Sequence, residues 1–127
     1  MAKKNIGTFL GTGNTLTYLG DHVYAYGGKV GVPQSTTTLL SFETGKQYVK
    51  GMLAIQNSSG AGDDIQYEVL LNGVVIMSTR NEEPTENDQF PMHLIFPPHT
   101  TVLITGYNIS SGAERDQTAI FVGRVYA

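Results

Sequence analysis

Apolar and polar positions alternate with a period of two along most of this chain, and no window of eleven or more residues holds apolar side chains at helical spacing. The cleanest run is Asp64 to Leu71, where Ile65, Tyr67, Val69 and Leu71 point one way and Gln66 and Glu68 the other. Asn72-Gly73 follows. Both residues accept the positive φ of a type I′ turn, so Val74 to Arg80 is predicted to return as the second strand of a hairpin. Upstream, Ser35 to Glu43 reads as a Thr-rich strand that turns at Gly45. Gln47 to Gln56 then carries Val49, Leu53 and Ile55 on one face, and Gly51, in line with them, marks a bulge or a close backbone approach. Phe90 to Phe96 puts Phe90, Met92, Leu94 and Phe96 on one face and stops at Pro97-Pro98, which have no N–H to give a ladder. Thr100 to Ile109 and Gln117 to Tyr126 are two further strands, and His22 to Tyr26 is a short one between Gly20 and Gly27-Gly28. About eight strands at this regular spacing predict an all-β fold, an antiparallel β-sandwich of jelly-roll-like form.

The first twenty residues break the pattern. Ile6-Gly7-Thr8-Phe9-Leu10-Gly11-Thr12-Gly13-Asn14 is punctuated by glycine, with apolar residues between, and reads as an extended arm ordered by docking on something else. The expected organisation is an N-terminal arm over 1–20 and one sandwich domain over 21–127, a normal size for a single core. There is no cysteine, which excludes disulfides, thiolate metal sites and a cysteine nucleophile. Met-Ala-Lys-Lys-Asn is not followed by an apolar h-region, and no apolar run approaches the ~20 residues of a membrane span. The sequence is therefore expected to be made in a cytoplasm and to bind no membrane.

Charge changes the picture in two ways. Charged residues are only 15% of the chain, and fourteen threonines, seven serines and fifteen glycines take their place, a composition found in domains that face other protein and also in many plain β-sandwiches. The net charge of −3 argues against nonspecific nucleic-acid binding. Within residues 1–50 five lysines outnumber Asp21 and Glu43, whereas residues 63–88 hold seven acids against Arg80 alone. A subunit basic in one region and acidic in another is equipped to pair with copies of itself.

Candidate chemistry is sparse. Gly11-Thr12-Gly13 lacks the third glycine and the helix of a dinucleotide fingerprint, and P-loop spacing is absent. His22, His93 and His99 match no metal-ligand spacing, and no serine sits in a nucleophile-elbow context. No catalytic residue, cofactor or metal site is expected. The acidic run Asn81 to Asp88 offers oxygen ligands of the kind calcium takes, with Asp63 and Asp64 as further donors, but without the spacing of a calcium loop; a solvated loop is the plainer reading. Seven tyrosines without a tryptophan suit core or interface packing, or a platform for stacking sugars, with Tyr24 and Tyr26 on one face of their strand.

From Leu39 to Val125 the chain resembles small structural proteins of tailed phages, of the capsid decoration or cement type. The resemblance is carried by Leu40-Ser41-Phe42-Glu43-Thr44-Gly45, Val49-Lys50-Gly51-Met52-Leu53, Tyr67 through Gly73, and Ile95-Phe96-Pro97-Pro98-His99-Thr100-Thr101-Val102. It implies a non-enzymatic jelly-roll subunit of the virion, made in the host cytoplasm, that stabilises a shell as a homotrimer against the major capsid protein. Lys3, Lys4, Ile6, Phe9 and Leu10 would then be the docking residues of the arm. The alternative expectation is a carbohydrate- or receptor-binding module of a viral fibre or tail tip that reads its ligand with the loops 57–63, 81–89 and 110–116.

Overall fold

A computed structural model describes residues 16–57, 63–82 and 89–126, with the side chains of Gln89 and Phe90 left undescribed. Nine strands and no helix occur among the described residues. They are β1 (Thr17–Leu19), β2 (His22–Val32), β3 (Thr37–Glu43), β4 (Tyr48–Asn57), β5 (Ile65–Leu71), β6 (Val74–Asn81), β7 (Gln89–Phe96), β8 (Thr101–Asn108) and β9 (Arg115–Tyr126). They form two antiparallel sheets in the orders β1-β2-β9-β4-β7 and β3-β8-β5-β6. Apart from the β1–β2 and β5–β6 hairpins, each connection passes from one sheet to the other. This is the jelly-roll winding of two sheets over one core, as the strand pattern leads one to expect.

The core lies between the sheets. Val49, Leu53 and Ile55 of β4, Met92, Leu94 and Phe96 of β7 and Ala119 and Phe121 of β9 meet Leu40 and Phe42 of β3, Ile65, Tyr67 and Val69 of β5 and Val102 and Ile104 of β8. At its centre Phe42 from one sheet packs against Phe96 and Phe121 from the other, each ring centroid 5.7 Å from its own, and Phe96 and Phe121 lie 5.2 Å from each other. Gly51 and Gly123 pair across β4 and β9 on the inward side and leave room for these rings. A Cβ on Gly123 would lie 3.0 Å from the Phe121 ring, and one on Gly51 would lie 2.2 Å from the Val122 carbonyl oxygen. Gly51 is therefore a close backbone approach; the β4 register runs through it without a shift.

Two elements differ from the sequence reading. Gly27-Gly28 does not end the second strand. It forms a bulge at which the β2–β9 register slips, Gly28 takes φ +75°, and the strand continues to Val32. Gly27 is held against the backbone of β3, where a Cβ would collide with the Leu39 carbonyl oxygen. The segment expected to be an arm over 1–20 also contributes to the sheet. Leu16 is buried, and β1 pairs with the start of β2 through Thr17↔Tyr24 and Leu19↔His22.

Polar groups staple both ends. At one end Thr44 Oγ1 donates to the Pro97 carbonyl and accepts from Thr100 N–H at 2.8 Å, while His99 N–H donates to Gly45 O. This holds the Pro97-Pro98-His99 turn, with His99 at φ 53°, against the β3–β4 connection. At the other end the Asp63 carboxylate accepts from Asn108 Nδ2 (3.0 Å), Ser111 Oγ (2.9 Å) and Arg115 Nε (2.7 Å). These three donors hold its carboxyl down at about 2, Asn108 contributing most.

Candidate functional site: the outward face of the five-stranded sheet

Strands of a two-layer sandwich send alternate side chains to solvent, and those positions are ordinarily polar. The four-stranded sheet carries Ser41, Glu43, Gln66, Glu68, Ser78 and Thr101 outward, with one apolar stretch, Leu103, Leu70 and Val75, in the row that Ser41 starts. The five-stranded sheet departs from it. Cross-strand register places Leu19, His22, Arg124, Lys50 and Ile95 in one outward row, and Tyr24, Val122, Met52 and His93 in the next. Tyr26, Ile120, Ala54 and Pro91 form a third row, and Tyr126 opposes Tyr48 at the end. Leu19, Tyr24, Tyr26, Tyr48, Met52, Ile95, Val122 and Tyr126 are all exposed. At roughly 150–250 Å² for a whole tyrosine, and less for the aliphatics, these eight together expose on the order of 700 Å², with His22, Arg124 and Lys50 set among them in the first row. Patches of more than a few hundred Å² on a soluble domain mark interaction sites.

The middle of this face is a depression of about 540 Å³. Its lining combines Met52, Ile95, Val122 and Tyr126 with four basic side chains, His22, Lys50, His93 and Arg124, and includes no acid. Just outside, Asp21 accepts from Arg124 Nη2 at 2.8 Å and lies 3.5 Å from His22 Nδ1. The hydrogen bond from Arg124 lowers the Asp21 carboxyl and raises the guanidinium. Lys50 makes no ion pair among the described residues.

No serine, threonine or cysteine lines the depression, and the carboxylate that meets one of its histidines, Asp21 at 3.5 Å from His22 Nδ1, lies outside it. Among the described residues no three His, Asp or Glu side chains are grouped to hold a metal ion. Asp63, considered above as a calcium donor, is committed to its three hydrogen-bond donors. Asp64 and Glu82 each lie 4.0 Å from Arg80.

The anticipated docking residues Lys3, Lys4, Ile6, Phe9 and Leu10 lie outside the described residues, as do residues 83–88 and 58–62 of the acidic and polar loops. Of the tyrosines, Tyr67 is buried, while Tyr24 and Tyr26 share the outward face as period two requires and are joined there by Tyr48 and Tyr126. The sequence signal for this face was present in the outward positions of each strand: Met52, Ile95 and Val122 stand where a one-sided sheet would carry polar residues. It emerged only once the strand order brought β2, β9, β4 and β7 together.

No protein-family model matches the chain, and no curated protein matches it. The fold is shared with solved structures. A subunit of the Bacillus endospore appendages, described as a novel family of disulfide-linked pili, aligns over 98% of this chain and 100% of its own, with 10% identity and a TM-score of 0.51. The C-terminal domain of the sugar-binding protein EclA aligns over 83% and 81%, with 13% identity and a TM-score of 0.49. A family 35 carbohydrate-binding module from Clostridium thermocellum aligns over 89% and 84%, with 12% identity and a TM-score of 0.45. At 10% identity the likeness to the appendage subunit is one of fold alone, and the cross-linking of the pili has no counterpart in a chain without cysteine.

Proposed function

We propose that this chain is a non-enzymatic structural subunit of a virus particle, of the capsid decoration or minor capsid type. In this reading copies associate as a homotrimer and adhere to the major capsid protein in the virion, after synthesis in the host cytoplasm. The observation that carries the reading is the second apolar face of the five-stranded sheet. A sheet already packed on a core gains nothing from eight exposed apolar residues on its other side unless that side is covered in the working assembly. Tyrosine, methionine and arginine are the residue types that protein interfaces concentrate, and a rigid sheet presents them at little entropic cost. The resemblance over Leu39 to Val125 supplies the particle, and Ile6, Phe9 and Leu10, with Lys3 and Lys4, are the proposed anchors on the shell. Many weak contacts repeated around a particle add by multivalency, so reinforcement needs no tight single site.

The test is co-sedimentation with purified capsid shells, using the full chain and a chain lacking residues 1–15. Full-chain adhesion that the truncation abolishes is the expected result. A full chain that stays in the supernatant at micromolar concentration sinks the virion reading.

One observation favours a second reading, a carbohydrate- or receptor-binding module. Tyr126 stands beside a depression that also offers the N–H donors of His22, His93 and Arg124. The ligand surface would then be a sheet face rather than the loop tips anticipated above. Retention on a glycan array, lost on Tyr126→Ala, supports that module; no retention on any glycan removes it.

A further inference from the structure

A second apolar feature lies on the opposite sheet. The hairpin between β5 and β6 turns at Asn72-Gly73, both with positive φ (51° and 82°), and leads into Val74, Val75 and Ile76. These three consecutive aliphatic residues are 63%, 47% and 46% exposed. Runs of exposed apolar residues at a strand edge promote association and are selected against unless something covers them. The edge is shaped as well as apolar. Val69 pairs with Met77 and Leu70 with Val75, so Ile76 is the extra residue of a bulge and is pushed out of the ladder. The tip is also braced. Asn72 N–H donates to Thr101 O, and Thr101 N–H donates to Asn72 Oδ1, both at 2.9 Å. Thr101 Oγ1 in turn donates to Glu43 Oε2 at 3.2 Å, which fixes a carboxylate on β3, two strands from β5 in the same sheet. Among the described residues Glu43 makes no ion pair.

We propose that this hairpin tip of one copy seats in the depression on the five-stranded sheet of the next. The inference rests on the reading of the chain as a homo-oligomer and names the contact that builds it. Two properties match. The seven side-chain carbons of Val75 and Ile76, at roughly the 30 Å³ that a water occupies, need about 210 Å³, and the depression holds about 540 Å³. Glu43 lies at the same end of the tip's sheet, on β3, and the depression is lined by Lys50, unpaired among the described residues, with His22, His93 and Arg124, the last already paired with Asp21 just outside. Pairing two depressions face to face with strands parallel would instead set Lys50 and Arg124 of one copy against those of the other and leave both tips bare. The tip-in-depression contact joins two different patches, so it is heterologous: it closes into a ring when the rotation allows, as in a trimer, and otherwise extends.

Light scattering on the full chain and on two surface variants tests this. Val75→Asp spoils the tip, and Val122→Asp spoils the depression; both sites are exposed, and circular dichroism and thermal melts establish that each variant is folded. The native chain is expected to associate and each variant alone to be monomeric. An equimolar mixture at about a hundred micromolar should form a heterodimer that grows no further, because one intact tip meets one intact depression. The charge pair gives an independent reading. Glu43→Lys and Lys50→Glu should each weaken self-association about tenfold, and the double variant should recover most of it. A monomeric native chain overturns the proposal, as does a Val75→Asp variant that keeps the native mass, a mixture that stays monomeric, or a double charge swap without recovery. A chain that assembles by this contact yet ignores capsid shells leaves the proposal standing and sinks the virion reading instead.

Discussion

Replacing Tyr67 by Phe removes a single hydroxyl from the middle of the sandwich. Tyr67 Oη donates to Gln117 Oε1 at 2.6 Å, and Gln117 Nε2 donates to Asn57 Oδ1 at 2.6 Å, a buried polar chain that ties β5 in one sheet to β9 and β4 in the other. All three residues are essentially inaccessible. The substitution leaves the Gln117 acceptor buried without that donor, a cost of about 1–3 kcal/mol, or a melting point lowered by about 4–12 °C for a chain of this size. The same residue has an alkaline signature. Burial pushes the phenol up to about 12, against a smaller opposing effect of a side-chain hydrogen bond with Asn81. The folded state then holds this proton where the unfolded chain has lost it. The associated stability is fully present below about pH 10 and is lost as pH rises toward 12, at most roughly 2–3 kcal/mol. Urea denaturation of both proteins at pH 7, 10, 11 and 12 should show a gap that is widest at pH 7 and narrows above pH 10. A neutral Tyr67→Phe at pH 7, or a gap that does not change with pH, refutes the reasoning.

Other predictions follow from the same geometry. Asp63→Asn should destabilise the chain at neutral pH by weakening the hold on Arg115, and should flatten its acid response; the native contribution is present above about pH 4 and lost as pH falls through about 2, which denaturation midpoints at pH 2–6 would read. Gly51→Ala should cost about 1–3 kcal/mol or more, since the added carbon meets backbone on β9, whereas Gly112→Ala, with nothing within 4 Å, should shift the denaturation midpoint by no more than the equivalent of about 0.5 kcal/mol. Val122→Asp should likewise stay within about 0.5 kcal/mol of the monomer's native stability while abolishing self-association, a combination that melting and light scattering separate.

Much of the fold is legible in the sequence because local chemistry and burial agree. Asn72-Gly73 fixes its hairpin through positive φ, and the alternations at Ile65 to Leu71 and Met92 to Phe96 match the buried faces observed. Gly27-Gly28 misleads because the same residues that end strands also make bulges, and only the approach of β3 to Gly27 decides between them. β1 is missed because three residues give too short a pattern to read, and Leu16 and Thr17 owe their place to the neighbouring strand β2. The candidate site is the least legible part. Lys50, Met52, His93, Ile95, Val122 and Arg124 come from three strands far apart in sequence, and nothing local foretells that β9 lies between β2 and β4.

Hydroxyl-radical footprinting of the assembled chain, read residue by residue by mass spectrometry against the Val122→Asp monomer, tests most directly whether the outward face of the five-stranded sheet is a covered surface. Protection of Met52, Tyr126 and Tyr24 together with Val75 and Ile76 of the hairpin tip, while Tyr107 on the other sheet reacts equally in both states, is the result predicted here. Equal oxidation of Met52 and the outward tyrosines in assembly and monomer would contradict it.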